Sequence, residues 1–130
     1  MKEAAVILDQ NMEPIHWHTP RASSGAIPDS RPFWDIIWEN RNVLRGIAHS
    51  HPGGGVPSPS WEDITTFAGV ELGLDRRLDW WITSSAPAVV VCRWCGPHKY
   101  DYEVQRVGAG SPWVAELQRI SEQEVEVRDA

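Results

Sequence analysis

The apolar and polar positions of the chain fall into short blocks whose period changes along the sequence. Residues 4–8 form an apolar run, residues 9–12 supply turn chemistry, and Ile15, Trp17 and Thr19 then alternate with His16 and His18. A period of two marks strands, so this stretch predicts a hairpin. The segment PRASSGAIPDSRP predicts a loop. The period then turns helical, with Phe33 and Ile37 four apart and Trp34 and Trp38 likewise. Asp29 or Ser30 can cap that helix, and Pro32 fits its first turn, where a missing N–H costs nothing. VLRGIAHSH predicts a short buried strand ending at two histidines, and residues 52–59 a Gly/Pro loop. A second helix is expected over 61–72, with Ile64, Phe67 and Ala68 inward and Gly73 as its stop. RLDWWITS and APAVVVCRW predict consecutive strands, CGPHK a turn and YDYEVQRV the return strand. Alternation sends one of Trp80 and Trp81 inward and the other outward, where an exposed Trp would mark a partner surface. SPWVAELQRIS closes with a helix capped by Ser111, with Pro112 behind it and Trp113, Leu117 and Ile120 on one side. The charged tail 122–130 is expected to fray.

The order of strands, helix, strand, helix, strands, helix predicts an α+β (or α/β-layered) fold: one mixed β-sheet flanked by helices. At 130 residues the chain fits a single domain, with no internal repeat. Its formal net charge of -6 argues against a general attraction to nucleic acid or anionic lipid, which needs clustered Lys and Arg. No apolar run approaches the roughly 18 residues of a membrane helix, and MKEAAVILDQ is too short and too quickly acidic for a secretory signal. The two cysteines make no disulfide framework, so a reducing cytoplasm is the expected setting. Eight tryptophans are many for this length and are expected as core and interface bulk.

The chemistry concentrates in GIAHSHPGGGVPSPSWED, residues 46–63. His49 and His51 lie at i and i+2, so on an extended strand both rings point to one side and can grip one metal ion. Asp63, in the first turn of the next helix, is the candidate third ligand. Two His, one Asp and an open fourth position are the arrangement of a catalytic zinc. Ser60 could donate a hydrogen bond to a developing oxyanion. Ser60-Trp61-Glu62-Asp63 is also an S-x-x-D capping pattern, which by itself explains both Ser60 and Asp63. The two readings are compatible.

HSHP followed by a Gly/Pro loop and SWED resembles the JAMM (MPN+, Mov34) zinc metalloprotease family, whose motif is a glutamate, a long gap, H-[S/T]-H-P and then S-x-x-D. The resemblance implies a sandwich of the JAMM and cytidine-deaminase type, zinc held by His49, His51 and Asp63, and Ser60 as the oxyanion helper. Eight residues separate His51 from Ser60, one more than usual in the family, and in a Gly-rich loop that addition is cheap. The family's glutamate is a general base on the attacking water. Glu3, at the head of the first apolar strand, and Glu13, at the head of the second, are the candidates, while Glu39 is expected on a solvated helix surface. The resemblance further implies hydrolysis of an amide or isopeptide bond. The expected partner is a protein or peptide substrate, the C-terminal tail of a ubiquitin-like or sulfur-carrier protein, with homodimerisation left open.

Two other readings stand beside this one. A JAMM-like scaffold without useful catalysis could serve as a binding module. The run also resembles the RadC group of bacterial proteins, linked to DNA repair, although the acidic balance argues against direct DNA binding. The C-x-x-C of Cys92 and Cys95, with His98 or with His16 and His18, could form a second zinc site or a redox pair, but fits ordinary hairpin residues better.

Overall fold

In the computed structural model, residues 3–19, 31–85 and 87–129 are described. The elements in order are β1 (Ala5–Asp9), β2 (Pro14–His18), α1 (Arg31–Glu39), β3 (Leu44–Ser50), α2 (Trp61–Leu74), β4 (Asp79–Ser84), β5 (Ala88–Trp94), β6 (Tyr102–Val107) and α3 (Pro112–Asp129). The strands form one sheet in the order β2-β1-β3-β4-β5-β6. Only β3 and β4 run parallel, joined by the crossover through α2; the other neighbours are antiparallel. The expected α+β class with a single mixed sheet is what the chain forms.

Both faces of the sheet are covered. Phe33 and Ile37 of α1 and Phe67, Val70 and Leu74 of α2 pack with Ala5, Ile7, Ile47, Trp80 and Ile82 on one face. Trp113, Val114 and Leu117 of α3 pack with Val6, Leu8, Ala48, Trp81 and Val89 on the other. This corrects the expectation for the tryptophan pair. Trp80 and Trp81 do point to opposite faces, yet both are buried, at 1% and 5% exposure. The unbroken apolar runs of β1 and β5 have the same cause, because a strand buried on both sides has no reason to alternate.

Several boundaries moved. Gly73 does not end α2. It lies inside the helix because the Trp34 ring packs against it, 2.8 Å from where a Cβ would stand. The stop is Asp75, in the left-handed region at φ 55. The Arg76 N–H donates to Glu71 O at 3.1 Å and the Asp75 N–H to Leu72 O at 3.2 Å, the two bonds of a Schellman cap. α3 continues as helix through the segment where charge predicted fraying. The candidate caps Asp29 and Ser30 lie outside the described residues.

Candidate metal centre

Three local structures bring the chemistry to one point. β3 is extended through Ser50, so His49 and His51 share a face, the face of α1 and α2. The start of the following loop is tied to β4: the His51 N–H donates to Thr83 O at 2.8 Å, and Ser85 donates to Gly53 O from both N–H (3.0 Å) and hydroxyl (2.8 Å). Gly53 supports this with φ 102, a conformation side chains disfavour. At the far end Ser60 caps α2 in a reciprocal box. The Asp63 N–H donates to Ser60 Oγ at 3.1 Å, and the Ser60 N–H donates to Asp63 Oδ2 at 2.9 Å. The box fixes the Asp63 carboxylate with its oxygens toward the histidines.

The third structure is the β1–β3 ladder. Ala5 pairs with His49, Val6 with Ala48 and Ile7 with Ile47. Continuing that register by two residues sets Glu3 opposite His51, on the same face. Ser50 holds this end of β1. Its N–H donates to Ala4 O at 3.0 Å, and its Oγ accepts from the Ala4 N–H at 2.9 Å. That Oγ also donates to Ser121 Oγ of α3 at 3.2 Å. The middle residue of His-Ser-His therefore points away from the two rings and anchors the strand that carries Glu3.

The result is a compact, mostly buried group. His49 Nε2 and His51 Nε2 lie 3.1 Å apart. Asp63 Oδ1 is 3.3 Å from His49 Nε2, and Asp63 Oδ2 is 3.0 Å from His51 Nε2. With Glu3, the four ligand-capable atoms all fall within 4.8 Å of one another. Burial alone would raise the Asp63 carboxyl, but its hydrogen bonds with the two imidazoles outweigh that and hold it far below the usual carboxylate range. The hydrogen bond to Asp63 raises His51 against the opposing effect of burial. Burial raises Glu3, and the nearby histidines only partly offset it. A cluster of two imidazole nitrogens and two carboxylates, buried and converging, could hold a metal ion, and the cation would replace the protons that otherwise keep these groups together.

The other residues singled out in the sequence sort as follows. Glu13 is exposed at the β1–β2 turn, its N–H donating to Asp9 Oδ1, and is outside the cluster; Glu39 is exposed at the end of α1. His16 and His18 pack on Phe33 of α1, His18 stacked at 4.3 Å between ring centroids, rather than joining His49 and His51. Cys92 is buried in β5, its thiol pushed up to about 12 by burial, whereas Cys95 is exposed with its Sγ on Asp101 O. His98 pairs with Asp101. Among the described residues neither cysteine belongs to a group able to hold a metal.

Two residues escaped the sequence reading. One is Ser50. The other is Glu71, a carboxylate only 3% exposed on the core face of α2. It accepts from the Leu78 N–H and Trp80 Nε1, each at 2.9 Å, from Arg77 at 3.1 Å, and from the Tyr102 hydroxyl. The Trp80 ring it holds stacks on Phe67, whose edge faces His49. A visible signal existed: Phe67, Glu71 and Leu74 share core spacing, and an acid there needs buried donors.

Fold and cluster together define a class: a single-sheet α+β domain, helices on both faces, with a buried two-histidine, two-carboxylate site at one end of its central strand. Compared with protein-family models and with curated proteins, the chain matches none. No helix among the described residues is long and apolar enough to cross a membrane.

Proposed function

We propose that the chain is a zinc-dependent peptidase of the JAMM kind that hydrolyses an amide bond at the C-terminal tail of a ubiquitin-like or sulfur-carrier protein. The observation that carries the proposal is the convergence of Glu3 on His49, His51 and Asp63. Zinc suits this donor set. Tetrahedral bonds of about 2.0–2.1 Å place ligand atoms about 3.3 Å apart. The two Nε2 atoms lie 3.1 Å apart, and the Asp63 carboxylate reaches one ring with each oxygen, Oδ1 at 3.3 Å from His49 and Oδ2 at 3.0 Å from His51. Two imidazoles and one carboxylate leave a fourth position open, as in catalytic rather than structural sites.

A zinc ion bound there would polarise the scissile carbonyl and acidify water beside it. The chain's own residues do the rest. His49, His51 and Asp63 hold and orient. Glu3, raised by burial, can take a proton from water and return it to the departing amine. Ser60 Oγ accepts from the Asp63 N–H and keeps its own hydrogen to donate toward the carbonyl oxygen. Glu3 also favours this reading over a scaffold that only binds, which has no need of a further carboxylate at the cluster.

Metal analysis and cleavage assays test the proposal. The wild type should carry about one zinc and cut ubiquitin-like fusion substrates in a chelator-sensitive way. His49→Ala and Asp63→Ala should lose the zinc. Glu3→Gln should keep it and lose roughly 10²–10⁴-fold in rate. Stoichiometric zinc retained in both ligand variants would overturn the assignment.

A further inference from the structure

Beside its core face α2 carries a second stripe, exposed at Trp61 and Leu72 and buried at Ala68 between them. Trp61, Ala68 and Leu72 are seven and then four residues apart, so they lie along one side of the helix, and Trp61 and Leu72 are 63% and 76% exposed. The turn between β5 and β6 runs beside this stripe. Tyr100 meets Trp61 edge-on at 4.8 Å, and Lys99 sits over the Tyr100 ring at 5.2 Å. Between helix and turn lies a cavity of about 540 Å³ whose lining includes Leu72, Arg76, Arg77 and Lys99.

The charges of this groove are out of keeping with the chain, which is net -6. Two acids line it. Glu71 is spent on four donors, two of them buried, leaving Asp75 as the only accessible acid among the described lining residues. Against it stand Arg76 and Lys99, while a third cation, Arg77, is already engaged. Arg77 pairs with Glu71 at 3.1 Å and stacks on Trp94 at 4.0 Å. Arg76 donates to the neutral carbonyl of Arg41 at 2.7 Å, and Lys99 rests on an aromatic ring; no described carboxylate pairs with either. Exposed aromatic and aliphatic anchors rimmed by unneutralised cations complement an acidic partner.

The stripe starts at the same end of α2 as the metal cluster, although Trp61 and Asp63, two residues apart, point to different sides of the helix. We propose that the groove docks an acidic polypeptide segment. On the peptidase reading, on which this step rests, that segment is the part of the substrate chain leading to the scissile bond. Trp61 to Leu72 covers about 16 Å of helix axis at ~1.5 Å per residue. An extended chain crosses that distance in about five residues. A segment of about eight residues is therefore long enough to span the stripe from Trp61 to Leu72.

The test separates docking from turnover. Fluorescence anisotropy with labelled eight-residue peptides is read on zinc-free and zinc-loaded protein. One peptide carries Asp and Glu beside an aromatic residue, and its twin carries Lys in their place. The acidic peptide should bind, more weakly as salt rises, while the twin should not. Lys99→Glu, in the exposed turn, and the double variant with Arg76→Glu should weaken the acidic peptide, the double by about tenfold, and admit the lysine twin. In cleavage assays the same variants should raise KM and leave kcat unchanged. Equal binding of both peptides, or unchanged affinity in a folded Lys99→Glu variant, would overturn the proposal. So would self-association through this face, detected by sedimentation and abolished by Trp61→Ser. Binding without cleavage would leave the docking site standing and remove the peptidase.

Discussion

Ser50→Ala is the substitution that best isolates how the fold places Glu3. Ser50 is fully buried, and its side chain faces α3 while the two histidines face α2. Its hydroxyl accepts from the Ala4 N–H at 2.9 Å and donates to Ser121 Oγ at 3.2 Å. Alanine fits the same space and keeps the backbone bond from the Ser50 N–H to Ala4 O. It removes the acceptor of the Ala4 N–H, and Ala4 is only 2% exposed, so water cannot easily replace it. Leaving a buried donor unpaired costs about 1–3 kcal/mol. That is a sizeable part of the roughly 5–15 kcal/mol that stabilises a domain of this kind.

Urea unfolding of the zinc-free protein reads this cost directly, and hydrogen exchange at the Ala4 amide reads its location. Ser50→Ala should lose about 1–3 kcal/mol and most of the protection at Ala4. Ser50→Thr keeps the hydroxyl and should recover much of both. Zinc content should not change, since the ligands lie across the sheet. On the peptidase reading turnover should fall in the alanine variant and return with threonine, because the neighbour of Ala4 is Glu3. Unfolding free energy within about 0.3 kcal/mol of wild type, with the Ala4 amide still protected, would refute the reasoning.

Other sites give independent tests. Glu71→Ala strands the Leu78 N–H and Trp80 Nε1 inside the core; it should cost about 3–5 kcal/mol by urea unfolding, with zinc content retained in whatever protein folds. Gly46→Ala would put a Cβ 1.8 Å from Asp79 O, prising β3 from β4; soluble yield and the near-UV signal of the tryptophans should collapse. His18 is held below its ordinary 6.5 by burial first and by His16 second. The unfolded chain therefore takes up this proton sooner as pH falls, so the stability it supports is present above 6.5 and is lost as pH drops through the lower folded value. His18→Gln should flatten the dependence of the urea midpoint between pH 7 and 5. The effect should be modest, because His18 is only half-buried.

Much of the site was legible because it is contiguous. Two histidines on one strand, a loop and a capping box lie within 15 residues, and strand and helix periodicity together predict that they meet. The misses needed partners remote in sequence. Alternation separates Trp80 from Trp81, but only α3, some thirty residues on, decides that the second face is covered. Gly73 looks like a helix stop until Trp34, on another helix, is placed against it. Glu3 and Glu13 both head apolar strands, but the hairpin puts Glu13 at the far end of β1 from His49, and register then decides which face Glu3 takes. Side chains in a strand alternate with a period of two, so a slip of one residue between β1 and β3 would turn Glu3 toward α3 and away from the histidines. The antiparallel ladder alone resists that slip weakly at its end. The Ala4–Ser50 pair adds a side-chain bond that exists in one register only, 46 residues apart in sequence. The same serine that separates the two histidines thus fixes the face on which Glu3 stands beside them.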